Sequence, residues 1–512
     1  MSFVRRVNKE IHDINNQPFT LKGVGIGGWL LFEGYMFKSN KYIERQRRFN
    51  ALLDELVGEK ERISFNDQLT NSFFTEEDIK LIKKEGFNSI RIPFDYQYLY
   101  KASDDLEQLL AIDYHFELLD RIIGLCKKNK VYVILDMHAA PGGQTGANID
   151  NSENDIPELF INDLYKKQTI NIWKELAKRY KNEEWIACYD LINEPLPKHH
   201  NQYNDQLLPL YKDIIKAIRE VDQSHMISIE GLNWSTDLSC FKELLDDNQI
   251  LHFHKYWNPP TTESILQHLR VREELNTPIF MGESGENELD WYSSAFKMLD
   301  QQNVSYNFWT YKKMDNHNSV ISFDKPDRWN QFINKELSKV DSLAVLEELL
   351  NNISFDNCKI NFSVINHIQR KNKFKTMAFA FDFYCKGKSY YDLRDKKTSM
   401  RASTNIRIAN CDNKIIEPDF WRRSLENTPK EDIFYIYLEK SEWVNYSFIG
   451  IVGKSGTIRV ESDDNQKLFV YLNDKLLKSN NSEFKCKLDR KDNTIRLEAN
   501  DFVRVLKIDI GF

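Results

Sequence analysis

The 512-residue sequence predicts an α/β chain, a (β/α)8 barrel followed by a C-terminal all-β sandwich. Three observations carry that expectation. Strand-like and helix-like segments alternate through the first two-thirds of the chain, eight such units run in one series, and the texture changes to short alternating strands after about residue 370. A length well beyond one ordinary domain agrees with two.

The strand-like runs are β-branched or aromatic and lie at 21–28, 88–94, 131–139, 185–194, 226–234, 250–256, 278–285 and 306–312. Between them lie stretches of helical period, among them TEEDIKLIKKEG, YHFELLDRIIGLCKKN and LLPLYKDIIKAIREVD. Several end in Gly or Asn, as helix C-termini do. A single alternating series of eight units favours a closed parallel barrel. The competing doubly wound sheet uses a Gly-rich phosphate turn after its first strand. GVGIGG is rich in glycine, but Trp29-Leu30-Leu31 follows it and no acidic partner ends the second strand in the way expected of a nucleotide site. The stretch 337–368 reads as helical and closes the barrel. Beyond it, MAFAFDFYC, DIFYIYLEK, EWVNYSFIGIV, GTIRVES, KLFVYLND, FKCKLDR, TIRLEAN and RVLKIDIGF are separated by Asn, Asp, Gly and Ser, the spacing of an antiparallel sandwich. The expected domains are 1–368 and 369–512.

Composition narrows the partners. A formal net charge of −7 argues against nucleic acid, which needs a basic face. Seven scattered cysteines without a CxxC pair read as reduced thiols. The first residues carry charges with no apolar segment after them, and no run reaches the ~18 apolar residues of a membrane span. A cytoplasmic location is the expectation.

In such a barrel the active site sits at the C-terminal strand ends. The polar residues there are Arg91, Asp136-Met137-His138, Asn193-Glu194-Pro195, His254-Lys255-Tyr256, Gly282-Glu283-Ser284 and Trp309. Two carboxylates on different strands, flanked by Asn, Tyr, His, Arg and Trp, are the inventory of glycosidic hydrolysis. One carboxyl must be protonated to assist the leaving oxygen, and the other ionised. A cation such as Arg91 would keep Glu283 ionised, and that charge would raise the pKa of Glu194. Asn193 is suited to a sugar 2-OH, and Trp309 to stacking on a pyranose ring. Singly each has a plainer role: a solvated strand-end Glu, a turn Pro, an ion-paired Arg, a core Trp. His252 and His254 share a strand face, which raises a metal site, yet no third ligand stands at metal spacing.

These motifs resemble glycoside hydrolase family 5, over about 19–350, and most closely its exo-β-1,3-glucanase and β-glucosidase branch. GVGIGGWLLFEGY is similar to the first-strand motif whose Glu reaches the sugar, here Glu33. GFNSIRIPFDY carries the active-site Arg91, VILDMHAAPGGQTG the loop with His138, and LINEPL the Asn193 and Glu194 pair. HKY matches His254 and Tyr256, MGESG matches Glu283, and FWTYK puts Trp309 at the platform position. The resemblance implies retention through a covalent glycosyl-enzyme on Glu283, with Glu194 as acid and then base, Tyr256 orienting the nucleophile, and no metal or organic cofactor. It implies a β-glucan or β-glucoside substrate. Three features depart from the branch: Tyr311 replaces a second Trp, Gly34 replaces a Pro, and 35–74 is a long charged insertion. An endo-β-glucanase remains an alternative, as does a glycolipid-directed enzyme with Phe32, Tyr35 and Phe37 forming an apolar mouth; a non-catalytic sugar-binding protein is a third. The C-terminal segment resembles carbohydrate-binding modules of families 6 and 35. Trp443 and Tyr446 there read as core, and Trp421 and Tyr435 as candidate sugar platforms.

Overall fold

The computed structural model describes residues 2–393, 400–416, 419–420, 428–429, 433–478 and 482–512. They divide into two compact units, each formed by several chain segments. The first comprises 1–255, 268–284 and 305–360, and the second 256–267, 285–304 and 361–512.

In the first unit eight strands close a barrel. They are β1 (Lys22–Gly25), β2 (Ser89–Asp95), β3 (Tyr132–Ala139), β4 (Ile186–Asp190), β5 (Met226–Glu230), β6 (Gln249–His254), β7 (Ile279–Gly285) and β8 (Ser305–Trp309), neighbours in sequence order with β8 returning to β1. All eight expected strands form, most of them shorter than their apolar runs. The expected fourth strand ends at Asp190, so Asn193 and Glu194 lie on the loop beyond it. The fifth stops at Glu230 and the sixth at His254. Val4, Ile11 and Leu21 from the N-terminal segment pack with Ile134, Met226, Ile250 and Phe280 from the strands. The barrel is therefore a packed core, as expected where bulky side chains fill it in layers.

The insertion after β1 is folded. It forms helices α1 (Gln46–Leu56) and α2 (Glu59–Phe73), with Phe49, Leu52 and Leu53 of α1 buried. Phe32 stacks between Phe37 at 4.8 Å and Phe49 at 4.3 Å, all three buried. The apolar mouth expected from Phe32, Tyr35 and Phe37 thus reduces to Tyr35, because the two phenylalanines hold the insertion together. Gly34 is also explained: a Cβ there would lie 2.4 Å from the carbonyl oxygen of Ile43, where the insertion folds back. The expected helix over 337–368 is two, α3 (Lys339–Ile353) and α4 (Phe362–Gln369), separated by the short strand Lys359–Ile360.

The second unit holds two antiparallel sheets. One contains β9 (Lys373–Met377), β10 (Arg407–Ala409), β11 (Tyr435–Leu438), β12 (Ser455–Ser462), β13 (Glu483–Lys487) and β14 (Val503–Gly511). The other is built around Trp443–Ile449, Leu468–Leu472 and Asp492–Ala499. MAFAFDFYC is not one strand; its chain leaves β9 at Met377 and turns through Ala378–Ala380. No helix among the described residues is long and apolar enough to cross a membrane.

Candidate active site

Barrel register gathers the polar residues. Pro93 of β2 pairs with Asp136 of β3, Asp136 with Asp190 of β4, Asp190 with Ser228 of β5, and Glu230 of β5 with His252 of β6. A register shift between Phe253 and His254 sets His254 opposite Glu283 of β7. The C-terminal half of the barrel interior is thereby polar.

Arg91, on β2, is the centre of this network and is fully buried. Its Nη1 donates to Glu283 Oε1 at 2.5 Å and its Nε to Asp190 Oδ2 at 2.8 Å. Nη2 donates to Asn193 Oδ1 at 2.9 Å and Glu230 Oε1 at 3.0 Å, and lies 3.1 Å from Asp136 Oδ2. One cation serves four buried carboxyl groups. They cannot all be ionised at low cost, so the protonation states separate. Burial pushes Asp190 upward, but His252 and Arg91 outweigh it and hold its carboxyl below the ordinary range. Asp136 and Glu230 are pushed well above it, first by burial and also by the charge of Asp190, with Arg91 opposing both.

Glu194 follows β4 with a φ of +45°, a left-handed conformation that costs a non-glycine residue about 1–3 kcal/mol. The surroundings hold it there. Its amide donates to Glu230 Oε2 at 2.7 Å, and Gln144 Nε2 donates to the carbonyl oxygens of both Asn193 (2.8 Å) and His138 (2.7 Å). Gln144 is the last residue of the His-x-Ala-Pro-Gly-x-Gln loop, which therefore clamps the loops after β3 and β4 together. The Glu194 carboxyl lies 2.7 Å from His254 Nδ1. Its pKa stands well above the usual carboxylate range, driven by burial first and then by Glu283, with Glu33 adding to the effect. Oxygens of Glu194 and Glu283 lie within 4.8 Å of each other.

His138 donates from Nδ1 to Asp136 Oδ2 at 2.7 Å and accepts at Nε2 from Asn193 Nδ2 at 3.2 Å. Burial lowers its pKa to about 4, so the ring is neutral at physiological pH. Trp309 stacks on His138 at 5.4 Å and donates from Nε1 to the Tyr35 hydroxyl at 2.7 Å. Gly25 and Gly27 leave room for the Trp309 indole, which a Cβ at Gly25 would meet at 2.4 Å. The glycines after the first strand thus serve close packing. Glu33 is buried and close enough to act electrostatically on Glu194. The structure therefore brings together Glu33, Arg91, His138, Asn193, Glu194, His254, Glu283 and Trp309. Tyr256 lies two residues past β6, in the segment grouped with the second unit, with its ring 5.4 Å from that of Trp257.

Sequence reasoning did not single out Asp190, Ser228 or Glu230. Glu230 also corrects the account of the histidines, because it provides the third side chain that sequence spacing lacked: Glu230, His252 and His254 have potential donor atoms within 4.8 Å of one another. The 3.0 Å contact between the two Nε2 atoms is nevertheless an N–H···N hydrogen bond, and Arg91 already occupies Glu230 Oε1. That arrangement fits a hydrogen-bonded cluster better than a cation site. Tyr311, at the second-Trp position, donates its hydroxyl to Asp78 at 2.9 Å and is a structural link.

In the second unit Tyr446 is buried as expected, and donates to the Ala378 carbonyl at 2.6 Å. Trp443 is only half-buried, beneath the Arg496 guanidinium at 4.3 Å, because it faces outward from its strand. Tyr435 is half-buried with Arg504 5.8 Å from its ring, and Trp421 lies outside the described residues.

Comparison with known proteins bears on this geometry. The model of the cellulase family (glycosyl hydrolase family 5) matches residues 59–315. A β-xylosidase of Phanerodontia chrysosporium is 30% identical over 241 residues, 47% of this chain and 48% of that protein. Endoglucanase C of Acetivibrio thermocellus is 26% identical over 313 residues, 49% of this chain and 88% of that one. Glucan 1,3-beta-glucosidase I/II of Saccharomyces cerevisiae is 28% identical over 312 residues, 57% and 67% of the two chains. The chain spans about half the length of the β-xylosidase it matches. A family match over half the chain, coinciding with a closed eight-stranded barrel, means that this protein belongs to glycosyl hydrolase family 5.

Proposed function

We propose that the protein is a retaining β-glycosidase that hydrolyses β-glucosidic bonds of glucans or gluco-oligosaccharides, acting from chain ends. Residues 1–368 carry catalysis on this reading, and 369–512 form an accessory sandwich. The observation that carries the proposal is the Glu194–Glu283 pair. Their oxygens lie within 4.8 Å, whereas an inverting enzyme separates its carboxyls by ~6.5–9.5 Å to admit a water. Their environments are opposed: Glu283 is held by Arg91, and Glu194 is kept protonated by burial and by Glu283 itself.

The chemistry follows from those environments. Glu283 attacks the anomeric carbon while Glu194 protonates the leaving oxygen, giving a glycosyl-enzyme ester and the free aglycone. Glu194, now ionised, takes a proton from water, and the resulting hydroxide equivalent attacks the anomeric carbon and releases Glu283. Asn193 has one amide hydrogen engaged by His138 and a second for the sugar 2-OH. Trp309 offers an indole face fixed by Tyr35 and His138. The glucan 1,3-beta-glucosidase relative favours exo action, and endoglucanase C keeps an endo mode as the second reading.

Incubation with a 2-deoxy-2-fluoro β-glucosyl fluoride tests this proposal. Peptide mass analysis is expected to find one glycosyl adduct on Glu283, absent in Glu283→Gln. An adduct elsewhere, or none with any sugar configuration, would overturn it. Products from β-linked gluco-oligosaccharides then separate the two modes, with single glucose units expected and internal fragments supporting the endo reading.

A further inference from the structure

We propose that His252 is a positioning residue for the acid/base: acting through His254, and anchored by Asp190 and Ser228, it fixes the catalytic proton on Glu194. The inference rests on the reading of Glu194 given above.

A chain of four contacts leads from the barrel interior to the rim. Asp190 Oδ1 is 2.8 Å from Ser228 Oγ and 3.0 Å from His252 Nδ1. His252 Nε2 is 3.0 Å from His254 Nε2, and His254 Nδ1 is 2.7 Å from Glu194 Oε1. The hydrogens in it follow by elimination. Ser228 Oγ also lies 3.1 Å from His252 Nδ1, but an ionised carboxylate only accepts, and a bare Nδ1 3.0 Å from it would set two lone pairs against each other, so Ser228 and His252 Nδ1 both donate to Asp190. Burial disfavours the charged form of both histidines, so each ring carries a single N–H. His252 Nε2 is then a bare lone pair, and His254 Nε2 must be the donor across the 3.0 Å contact. That leaves His254 Nδ1 without a hydrogen. The hydrogen between it and Glu194 must come from the carboxyl, which is the state an acid catalyst requires. Had Asp190 been absent, His254 could adopt the other tautomer and donate to a Glu194 carboxylate instead.

A ring flip of His252 would set carbon atoms against Asp190 and His254 Nε2 and lose both hydrogen bonds. Gly282 faces His252, and a Cβ on it would lie 1.6 Å from Nε2, so the imidazole fills its slot. The other charged groups come from every side. His252 faces Asp190 on β4 and Glu230 on β5 at 3.4 Å, and feels the positive charge of Arg91 on β2. His254 faces Glu230 at 3.5 Å and Glu283 on β7 at 3.7 Å, with Arg91 and His138 disfavouring its protonation. Once Glu194 has given its proton to the leaving oxygen, the His254 lone pair faces a carboxylate with no hydrogen between them. The pair then favours recapture of a proton from water, the second half of the cycle.

Nitrogen-15 NMR of the full chain with labelled histidine reads the tautomers without any turnover. The Nδ1–H form is expected for His252 and the Nε2–H form for His254 near neutral pH, assigned by loss of signals in His252→Phe. The reverse forms, or an imidazolium at either position, would overturn the proposal even if the enzyme is a glycosidase. Kinetics give the second readout. His252→Phe should lower kcat/KM about 10–100-fold on an alkyl β-glucoside, whose leaving group needs protonation, with a much smaller loss on a 2,4-dinitrophenyl β-glucoside. The basic limb of its pH profile should move to lower pH. Equal losses on both substrates with an unmoved limb would mean a merely structural role. Wild-type protein inert on both substrates would count against the glycosidase reading alone, and the NMR result would still decide the proton order.

Discussion

Replacing Arg91 with Met removes the one cation shared by four buried carboxyl groups while keeping most of the side-chain volume. At an effective dielectric constant of about 20, a unit charge pair near 3 Å is worth roughly 5 kcal/mol. Breaking a buried ion pair from one side costs about 3–5 kcal/mol after the rest relaxes. The first unit has roughly 330 residues, for which an unfolding entropy of ~2.1 cal/mol/K per residue turns that loss into a midpoint lowered by about 4–7 °C. The loss depends on pH. Without Arg91 the pKa values of Glu283, Asp190, Glu230 and Asp136 rise in the folded state, so the native variant binds more protons than its unfolded chain. Its stability therefore falls as pH rises above the ordinary carboxylate pKa of about 4. Thermal melts of Arg91→Met and wild type at pH 5 and pH 8 should show a larger gap at pH 8. Midpoints within about 1 °C of each other at both pH values would refute the account of Arg91 as the organising charge.

Glu194→Gln is expected to cost about 10²–10⁴-fold in kcat on unactivated β-glucosides, and to abolish the basic limb that the raised Glu194 pKa gives the wild type; a steady-state pH profile checks both. Gly282→Ala would force a methyl into the His252 ring and should destabilise the barrel by about 1–3 kcal/mol or more, read by chemical denaturation. Asp95 is buried with a pKa raised to about 6, so its penalty appears as pH rises from about 4 through 6 and is complete above that. Asp95→Asn should remove up to about 3 kcal/mol of that penalty, less whatever the hydrogen bonds from Gln97 and Asn151 contribute, so the stability gap over wild type should widen between pH 4 and pH 7.

The barrel was legible because its strands are short β-branched runs in an unbroken series, and the rim because strand ends there are polar. Arg91, His138, Glu194, His254 and Glu283 could be proposed on that basis alone. The supporting network could not be read the same way, since contacts among Asp190, Ser228, Glu230 and His252 depend on barrel register. A signal was present: Ser228 with Glu230, and His252 with His254, place polar residues at every second position of otherwise apolar strands. Inward-facing polar positions of that kind must be paired. The shift at Phe253/His254 that brings His254 opposite Glu283 has no sequence mark. The insertion reads as merely charged because its buried apolar residues, Met36, Ile43, Phe49, Leu53, Phe65 and Phe73 among them, are dispersed between charged ones.

The two compact units are interleaved along the chain, which passes between them at 255/256, 267/268, 284/285, 304/305 and 360/361. The helix Leu289–Gln301, joining β7 to β8, is grouped with the second unit and contacts α4 and β9 there; Arg370 donates to the Ser293 carbonyl oxygen at 2.6 Å. A chain of this kind has no single cleavage point that separates one unit from the other. Gene fusion or recombination at one junction would strand the crossover between two barrel strands without its packing partner. Inheritance of the two parts as one piece, with change confined to loops, is the evolutionary route that such a connectivity leaves open.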